Sequence, residues 1–267
     1  MSSSIPVAVH PTGLRSAPVV ELFYSFQGEG VNLGRRALFV RFRDCNLTCG
    51  YAKAPRMADA PVEDRMRCDT EYTWNRAAHD LNKGVHHLTP DESWDKLMAL
   101  DPSTNDPSVA PVDLIVVSGG EPLLHRDTLV TLTHRATSQS RRVEIETNAT
   151  IRPGSDLIAA GARFNAAPKL ASSAMPRKKR IKPDAISELR DSGQARWKFV
   201  VCGPNDLAEI AELQQEFGLT EIWLSPEGTT PASVIERMRM AADAALTHGW
   251  NLTTREHVLI WGDERGR

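Results

Sequence analysis

The sequence lacks the features that mark several large classes of protein. Its 267 residues contain only four cysteines, at irregular spacings, which excludes a disulfide framework. No apolar run approaches the roughly 20 residues that a membrane-spanning helix needs. The first residues show no basic segment followed by an apolar stretch, so we expect no signal peptide, no membrane association and a cytoplasmic location.

Neither sign of charge is in excess. Lysine and arginine total 32 and aspartate and glutamate total 34, which gives a formal net charge of −2 at pH 7. That balance offers no electrostatic basis for binding nucleic acid or an anionic membrane surface, so we expect neither as a partner.

What the chain does contain is a regular alternation of strand and helix patterns. Apolar strands and helices alternate about six times, and single helices link most neighbouring strands, which predicts parallel pairing with right-handed crossovers. Because the count falls short of eight, we expect an α/β fold built as a partial, open (β/α) barrel of about six parallel strands. No internal repeat or low-complexity linker divides the chain. Residues 19–267 are therefore expected to form one domain behind a flexible arm, residues 1–18.

Three of the four cysteines fall in one short window. Cys45 and Cys49 follow the apolar run 37–42, and eighteen residues separate Cys49 from Cys68. Thiolates gathered at the end of a strand can hold a metal ion or an iron–sulfur cluster, although cysteine is also a common small core residue. Cys202 lies in a predicted strand, and we expect it to be a core residue and not a ligand.

Further polar motifs accompany other predicted strands. Gln-Gly-Glu-Gly at 27–30, Ser-Gly-Gly-Glu-Pro at 118–122 and Glu-Thr-Asn at 146–148 each lie at a strand end. Glycines there let a ligand or another backbone approach closely, although each segment taken alone is also compatible with a simple turn. Arg41, in the strand before Cys45, needs an anionic partner, which is either a structural carboxylate or a ligand.

Taken in this order, and followed by Pro-Lys-Leu at 168–170 and a histidine at 257, these motifs resemble the radical S-adenosylmethionine (SAM) superfamily. More closely, they resemble the 7-carboxy-7-deazaguanine synthase family. The resemblance runs from about Glu21 to Gly262. It implies a carbon–nitrogen lyase of queuosine-type 7-deazapurine biosynthesis, which converts 6-carboxy-5,6,7,8-tetrahydropterin to 7-carboxy-7-deazaguanine with loss of ammonia.

The resemblance also implies cofactors and partners. The cofactors are a 4Fe-4S cluster, SAM and Mg²⁺. Three cysteine ligands leave one iron open for SAM, whose cleavage yields the 5′-deoxyadenosyl radical that takes a hydrogen from the substrate and later regenerates SAM. The implied partners are the small pterin substrate, a flavodoxin- or ferredoxin-like reductant and a second copy of the chain in a homodimer.

The resemblance assigns a role to each matching residue. The cluster ligands are Cys45, Cys49 and Cys68, and Thr70 is the ligand to Mg²⁺. The residues implied to bind the substrate are Phe26, Gln27, Gly28, Glu29, Arg41, Ser118 and His257, with the arginine at the substrate carboxylate. The residues implied to bind SAM are Asp69, Gly119, Gly120, Glu121, Asn148, Ala167, Pro168, Lys169 and Ser225.

The sequence departs from the family pattern at several positions. Ala52 stands where the third cysteine commonly falls, so that cysteine comes later and residues 52–67 are expected to form a loop insertion. Arg67 stands where the residue before the third cysteine is usually aromatic and contacts SAM. Ala149 and Ala167 replace a common glycine and a common serine.

Two other functions are compatible with part of the pattern. A radical SAM activase acting on a partner protein shares the cysteine window and the Gly-Gly-Glu-Pro segment. The set of Gln27, Glu29 and Arg41 and the lack of further ferredoxin-type cysteines count against it. A non-catalytic zinc module would use the three clustered cysteines, with or without His79, and an iron and sulfide analysis would distinguish it from the other two.

Overall fold

The computed structural model describes residues 15–50 and 68–267. Within these ranges a single sheet contains nine strands: β1 (Ala17–Phe26), β2 (Arg36–Phe42), β3 (His86–Leu88), β4 (Leu114–Gly119), β5 (Arg142–Thr147), β6 (Arg163–Ala166), β7 (Ala195–Val201), β8 (Ile222–Pro226) and β9 (Asn251–Leu252). Their spatial order is β3-β1-β2-β4-β5-β6-β7-β8-β9. The described part of the chain also contains the helices α1 (Pro90–Ala99), α2 (Arg126–Ser138), α3 (Ser155–Ala159), α4 (Arg177–Arg180), α5 (Pro183–Asp191), α6 (Pro204–Phe217), α7 (Pro231–His248) and α8 (Glu256–Trp261).

The parallel part of the sheet runs from β2 to β9. Each neighbouring pair in that stretch is parallel, whereas β1 pairs antiparallel with both β2 and β3. The α/β class is therefore confirmed. The sequence predicted about six parallel strands, and the seventh, β9, is only two residues long. A helix follows β4, β5, β6, β7 and β8 before the next strand, which satisfies the long crossover that parallel pairing requires.

The first strand begins earlier than expected. Most of the predicted arm, residues 1–14, lies outside the described residues, as does the predicted insertion at 52–67. Ala17 and Pro18, however, already pair with β3, which corrects the boundary that we drew at residue 18. The reason is burial, because Ala17 and Val19 are 2% and 1% exposed and belong to the main core.

One face of the sheet is apolar and packs against the helices, and the opposite face is mostly polar and carries the candidate site. Alternate strand residues such as Val40, Ile145 and Phe199 pack with the helices in one large apolar core. Because side chains alternate between faces along a strand, their neighbours Arg41, Glu146 and Lys198 lie on the opposite face. That face carries mostly polar side chains towards the carboxyl ends of the strands. No helix of the described residues is long and apolar enough to cross a membrane.

Candidate active site

One cavity of about 230 Å³ lies on the polar face, at the carboxyl ends of the parallel strands. Of the site residues named from the sequence, all but Glu121, Pro168 and Ser225 line it. Those three lie directly behind the lining: Ser225 Oγ donates to Glu29 Oε2 (2.8 Å), Glu121 contacts the backbone of Asn148, and Pro168 precedes a lining lysine. Residues far apart in the sequence therefore meet at one place.

The three clustered cysteines form one wall of this cavity. Cys45, Cys49 and Cys68 belong to one small buried group that also contains Leu47 and Met175. Burial raises the pKa of the Cys45 thiol to about 12 and that of Cys49 to about 11, and the neighbouring thiols add to both shifts. These thiols are neutral at pH 7 unless a cation offsets the cost of burying their charge, as a bound metal does.

The glycines after β4 pack against the backbone that leads to Cys45. A Cβ atom on Gly119 would lie 2.1 Å from the Phe42 carbonyl oxygen, and one on Gly120 would lie 2.1 Å from that of Asp44. Gly119 also has φ +142°, a region that other residues rarely adopt. Backbone hydrogen bonds from Gly120 N to Phe42 O (3.2 Å) and from Glu121 N to Asp44 O (2.9 Å) complete the contact. The Gly-Gly segment and the cysteine window are thus one structural unit.

Glu121 is a connector between two strand ends. Its buried carboxylate accepts hydrogen bonds from Asn148 N (2.7 Å), Thr147 Oγ1 (2.8 Å) and Leu123 N (3.0 Å). Burial is the largest influence on its pKa and raises it. With these bonds in place, Glu121 fixes Asn148, whose side-chain amide in turn donates to Asn46 Oδ1 (2.9 Å) beside the first cysteine.

Arg41 has a structural partner and also faces the cavity. Its Nε donates to Glu21 Oε2 (2.9 Å) and its Nη1 to Ser118 Oγ (3.3 Å), and its side chain is 15% exposed. The guanidinium lies 5.7 Å from the Phe23 ring centroid. The structural carboxylate considered from the sequence is therefore present, and the side chain also lines the cavity.

A buried charged network beneath the cavity was missed by the sequence reasoning. Lys198 Nζ lies 2.6 Å from Glu146 Oε2 and 3.3 Å from Glu29 Oε2. Arg255 adds a contact of 3.7 Å to Glu29 Oε1 and one of 2.7 Å to Asp69 Oδ2. A local signal was available: Lys198 lies between the apolar residues Trp197 and Phe199 in a predicted strand, where a charge is costly unless it is paired.

The network keeps Glu29 ionised. Burial alone would raise its pKa, but the adjacent charges of Lys198 and Arg255 outweigh burial and hold it well below its usual range. Burial likewise opposes the charge on Lys198, and Glu146 and Glu29 outweigh that effect and raise its pKa. The cavity is therefore lined by the ionised carboxylate of Glu29, which Lys198 and Arg255 already neutralise.

Gln27 joins this network with a fixed orientation. Its Nε2 donates to Glu144 Oε1 (2.9 Å) and to Glu146 Oε1 (3.1 Å). Because both amide protons are used on carboxylates, the remaining polar atom, Oε1, can only accept a hydrogen bond. Glu146 is itself held by Asn165 Nδ2 (2.9 Å). The pair of Gln27 and Glu29 is thus arranged to accept hydrogen bonds from a ligand.

His257 and Gly28 are in close contact. A Cβ atom on Gly28 would lie 2.0 Å from His257 Nδ1, so the absence of a side chain at 28 makes room for the ring. Burial lowers the pKa of His257, although Glu29 opposes that shift. The imidazole is therefore neutral at pH 7 and can donate or accept one hydrogen bond.

With the geometry described, the chain can be compared with known proteins. No family model matches it. A 7-carboxy-7-deazaguanine synthase from Pyrobaculum aerophilum is 31% identical over 251 residues, which cover 93% of this chain and 96% of that protein. A protein of the same name from Halobacterium salinarum is 32% identical over 269 residues, or 92% of this chain and 91% of the relative.

The chain belongs to the 7-carboxy-7-deazaguanine synthase family. The family resemblance inferred from the motifs is thereby confirmed, and it extends over the length that those motifs span. Among solved structures, QueE from Escherichia coli matches 91% of this chain and 95% of its own chain with a TM-score of 0.60. At 17% identity, that likeness concerns the fold.

Within this 7-carboxy-7-deazaguanine synthase family member, the zinc alternative has little support. Among the described residues, no group of three or more His, Cys, Asp and Glu side chains is arranged to hold a single metal ion. His79, the optional fourth ligand of that hypothesis, pairs its Nε2 with Glu71 Oε1 at 3.0 Å. Thiolates on the different irons of a cluster lie farther apart than the ligands of one ion, so the same arrangement does not argue against a cluster.

Glu144→Gln is expected to change how stability depends on pH. Burial, reinforced by the nearby carboxylate of Glu146, raises the pKa of Glu144 from 4.5 to about 7. Between pH 4.5 and about 7, Glu144 is protonated in the folded wild-type protein but ionised in the unfolded chain. The contribution of Glu144 to the stability of the wild-type fold therefore decreases as the pH rises through this range. The stability deficit of the variant relative to wild type should therefore shrink by up to about 3 kcal/mol between pH 5 and pH 8.

Urea unfolding at several pH values measures this difference. The exposed Glu212→Gln is the matched control and should show a constant difference from wild type. A deficit for Glu144→Gln that stays constant, or grows, from pH 5 to pH 8 would show that the pKa of Glu144 is not raised.

Proposed function

We propose that this protein converts 6-carboxy-5,6,7,8-tetrahydropterin to 7-carboxy-7-deazaguanine with release of ammonia. The observation that carries the proposal is the meeting, in one cavity, of the three clustered cysteines with Gln27, Glu29 and Arg41. Membership of the synthase family supports the same reaction. A cavity lined by paired charges favours a small polar substrate over the glycine of a partner protein, which an activase would have to admit.

The cysteine wall fits an iron–sulfur cluster. The three thiols share one small group, and the raised pKa values of Cys45 and Cys49 mean that a bound cation is needed to make those two thiols thiolates. Cys45, Cys49 and Cys68 would hold a 4Fe-4S cluster. When bound and reduced, the cluster and SAM supply a 5′-deoxyadenosyl radical for hydrogen abstraction from the substrate. The remaining steps depend on how the protein's own side chains hold and orient the reactants.

The Gly-Gly segment and its neighbours would hold SAM. Gly119 and Gly120 present backbone to the cavity beside Cys45, and Asn148 is fixed there by Glu121. The other members of the proposed SAM set are Asp69, Ala167, Pro168, Lys169 and Ser225. Among them, Ser225 donates a hydrogen bond to Glu29, a residue of the proposed pterin site, and Asp69 forms an ion pair with Arg255.

The opposite side of the cavity would bind the pterin. Arg41, oriented by Glu21 and Ser118, would meet the substrate carboxylate, because a planar guanidinium matches a carboxylate. Gln27 Oε1 and the Glu29 carboxylate would accept hydrogen bonds from ring N–H groups. Neutral His257 can bind either a donor or an acceptor, and Phe26, whose ring stacks with that of Trp261, lies at the cavity edge.

The proposal has several further parts. Thr70, whose Oγ1 donates to Gly119 O (3.2 Å), would be the protein ligand to Mg²⁺, with the remaining ligands from water and the substrate carboxylate. The reductant would be a flavodoxin- or ferredoxin-like protein, the location the cytoplasm, and the functional form a homodimer. We also propose that the parallel strands form the partial, open (β/α) barrel of a radical SAM core.

Arg41→Gln is expected to raise the KM for the pterin roughly 10- to 100-fold, because a charge-assisted hydrogen-bond pair is worth about 1.5–3 kcal/mol. Steady-state kinetics under anaerobic conditions measure the change. Arg141→Gln is the matched control, since its side chain is 13% exposed and paired with Asp101 at 2.7 Å, away from the cavity. Equal KM values for the two variants would remove Arg41 from the proposed substrate site.

A further inference from the structure

Trp74 makes a direct polar contact with one of the three clustered cysteines. Its indole Nε1 lies 3.2 Å from Cys68 Sγ. The segment between them is ordered by a short 3-10 helix at Glu71–Thr73, and the backbone N–H of Trp74 donates to Glu71 O (3.1 Å). The ring also lines the cavity. The backbone that carries the indole is therefore held by local structure.

The direction of this hydrogen bond follows from the chemistry of the two groups. An indole N–H can only donate, so the sulfur must accept. A thiolate accepts a hydrogen bond more strongly than a neutral thiol does, because the acceptor is then charged. The contact is consequently worth most when Cys68 carries negative charge, as it does when it binds iron.

The cysteines do not receive equal contacts. Cys45 Sγ accepts from Leu47 N at 3.5 Å and lies 3.9 Å from Asn148 Nδ2, both longer than the contact from Trp74. Thr70 Oγ1 is 3.6 Å from Cys68 Sγ and also bonds to Gly119 O. The contact from Trp74 to Cys68 thus has the shortest N···S distance of these contacts. The proposed reaction gives the Trp74 side chain no other role.

We propose that Trp74 is a positioning residue which raises the reduction potential of the iron–sulfur cluster by donating its indole N–H to Cys68 Sγ. Reduction adds one electron to the cluster and increases the negative charge on its sulfur ligands. A donor aimed at one of those sulfurs stabilises the reduced form more than the oxidised form. The inference rests on the cluster ligands assigned in the proposed function, but not on the identity of the substrate.

Trp74→Phe tests this because it removes the N–H and keeps an aromatic ring. After anaerobic reconstitution, iron and sulfide content should match wild type. A redox titration followed by electron paramagnetic resonance should give a more negative midpoint potential, with the equilibrium constant for reduction lowered by up to about fivefold, the limit set by the loss of one such hydrogen bond. The control Trp94→Phe changes a buried core tryptophan on α1 and should leave the potential at the wild-type value.

A second measurement needs no substitution. Wild-type protein carrying tryptophan labelled with ¹⁵N in the indole ring should show a ¹⁵N hyperfine coupling to the reduced cluster, because Trp74 touches a ligand sulfur. Absence of that coupling, or a midpoint potential in Trp74→Phe that equals wild type or is more positive, would overturn the proposal. Neither experiment contains a pterin, so failure to form deazaguanine would leave this result unaffected and would count only against the proposed reaction.

Discussion

Cys68→Ala is expected to reduce iron and sulfide binding after anaerobic reconstitution to near background. The sequence around Cys68 departs from the common spacing, but the structure brings its sulfur into the buried group of Cys45 and Cys49. Removing it leaves two thiols, too few to compensate for the cost of burying a cluster there. Colorimetric iron and sulfide analysis, with absorbance near 400 nm as a rough guide to cluster content, measures the effect.

Cys202→Ala is the matched control for that experiment. Cys202 is 4% exposed and packs against the same small group, yet it does not line the cavity. Its backbone N–H donates to Asp206 Oδ2 (2.7 Å), a contact that alanine retains. This variant should bind as much iron as wild type. Equal iron content in the two cysteine variants would refute the ligand assignment.

Lys198→Met is expected to lower the free energy of unfolding at pH 8 by about 3–5 kcal/mol, the cost of breaking a buried ion pair. Lys198 is the shared counter-charge of Glu146 and Glu29, both of which are largely buried. Without it the pKa of Glu29 rises, so the variant should lose less stability at pH 5, where that carboxylate takes up a proton more readily. Chemical denaturation of the metal-free protein at both pH values measures the effect.

The exposed Lys96→Met on α1 is the control and should change stability by less than about 0.5 kcal/mol. If Lys198→Met cost under about 1 kcal/mol at pH 8, or cost more at pH 5 than at pH 8, the buried network would not be the ionised structure described above.

The parts of the site that sequence could predict are those encoded in short segments. The cysteine window and the Gly-Gly segment each follow an apolar strand directly, and their resemblance to the motifs of the family is what predicted that they form one site. The charged network could not be predicted in the same way. Lys198, Glu146 and Glu29 come from three separate segments, and their pairing depends on which strands lie side by side and on which face each side chain falls.

The same distinction holds for the fold. The parallel strands β2, β4, β5, β7 and β8 were predicted because each is long enough to show an apolar pattern. β3 and β9 contain three and two residues, which is too short for any periodicity to be visible. Ala17 and Pro18 belong to β1 only because β3, about seventy residues later, supplies their pairing partner. Such long-range pairing leaves no local trace in the sequence.

The most direct test of the central claim is a single turnover experiment under anaerobic conditions. Protein reconstituted with iron and sulfide, then reduced, is mixed with SAM, Mg²⁺ and 6-carboxy-5,6,7,8-tetrahydropterin, and the products are quantified. The account predicts equal amounts of 7-carboxy-7-deazaguanine and ammonia, with the SAM concentration unchanged. A fully assembled cluster that converts SAM to 5′-deoxyadenosine and forms no deazaguanine would contradict it.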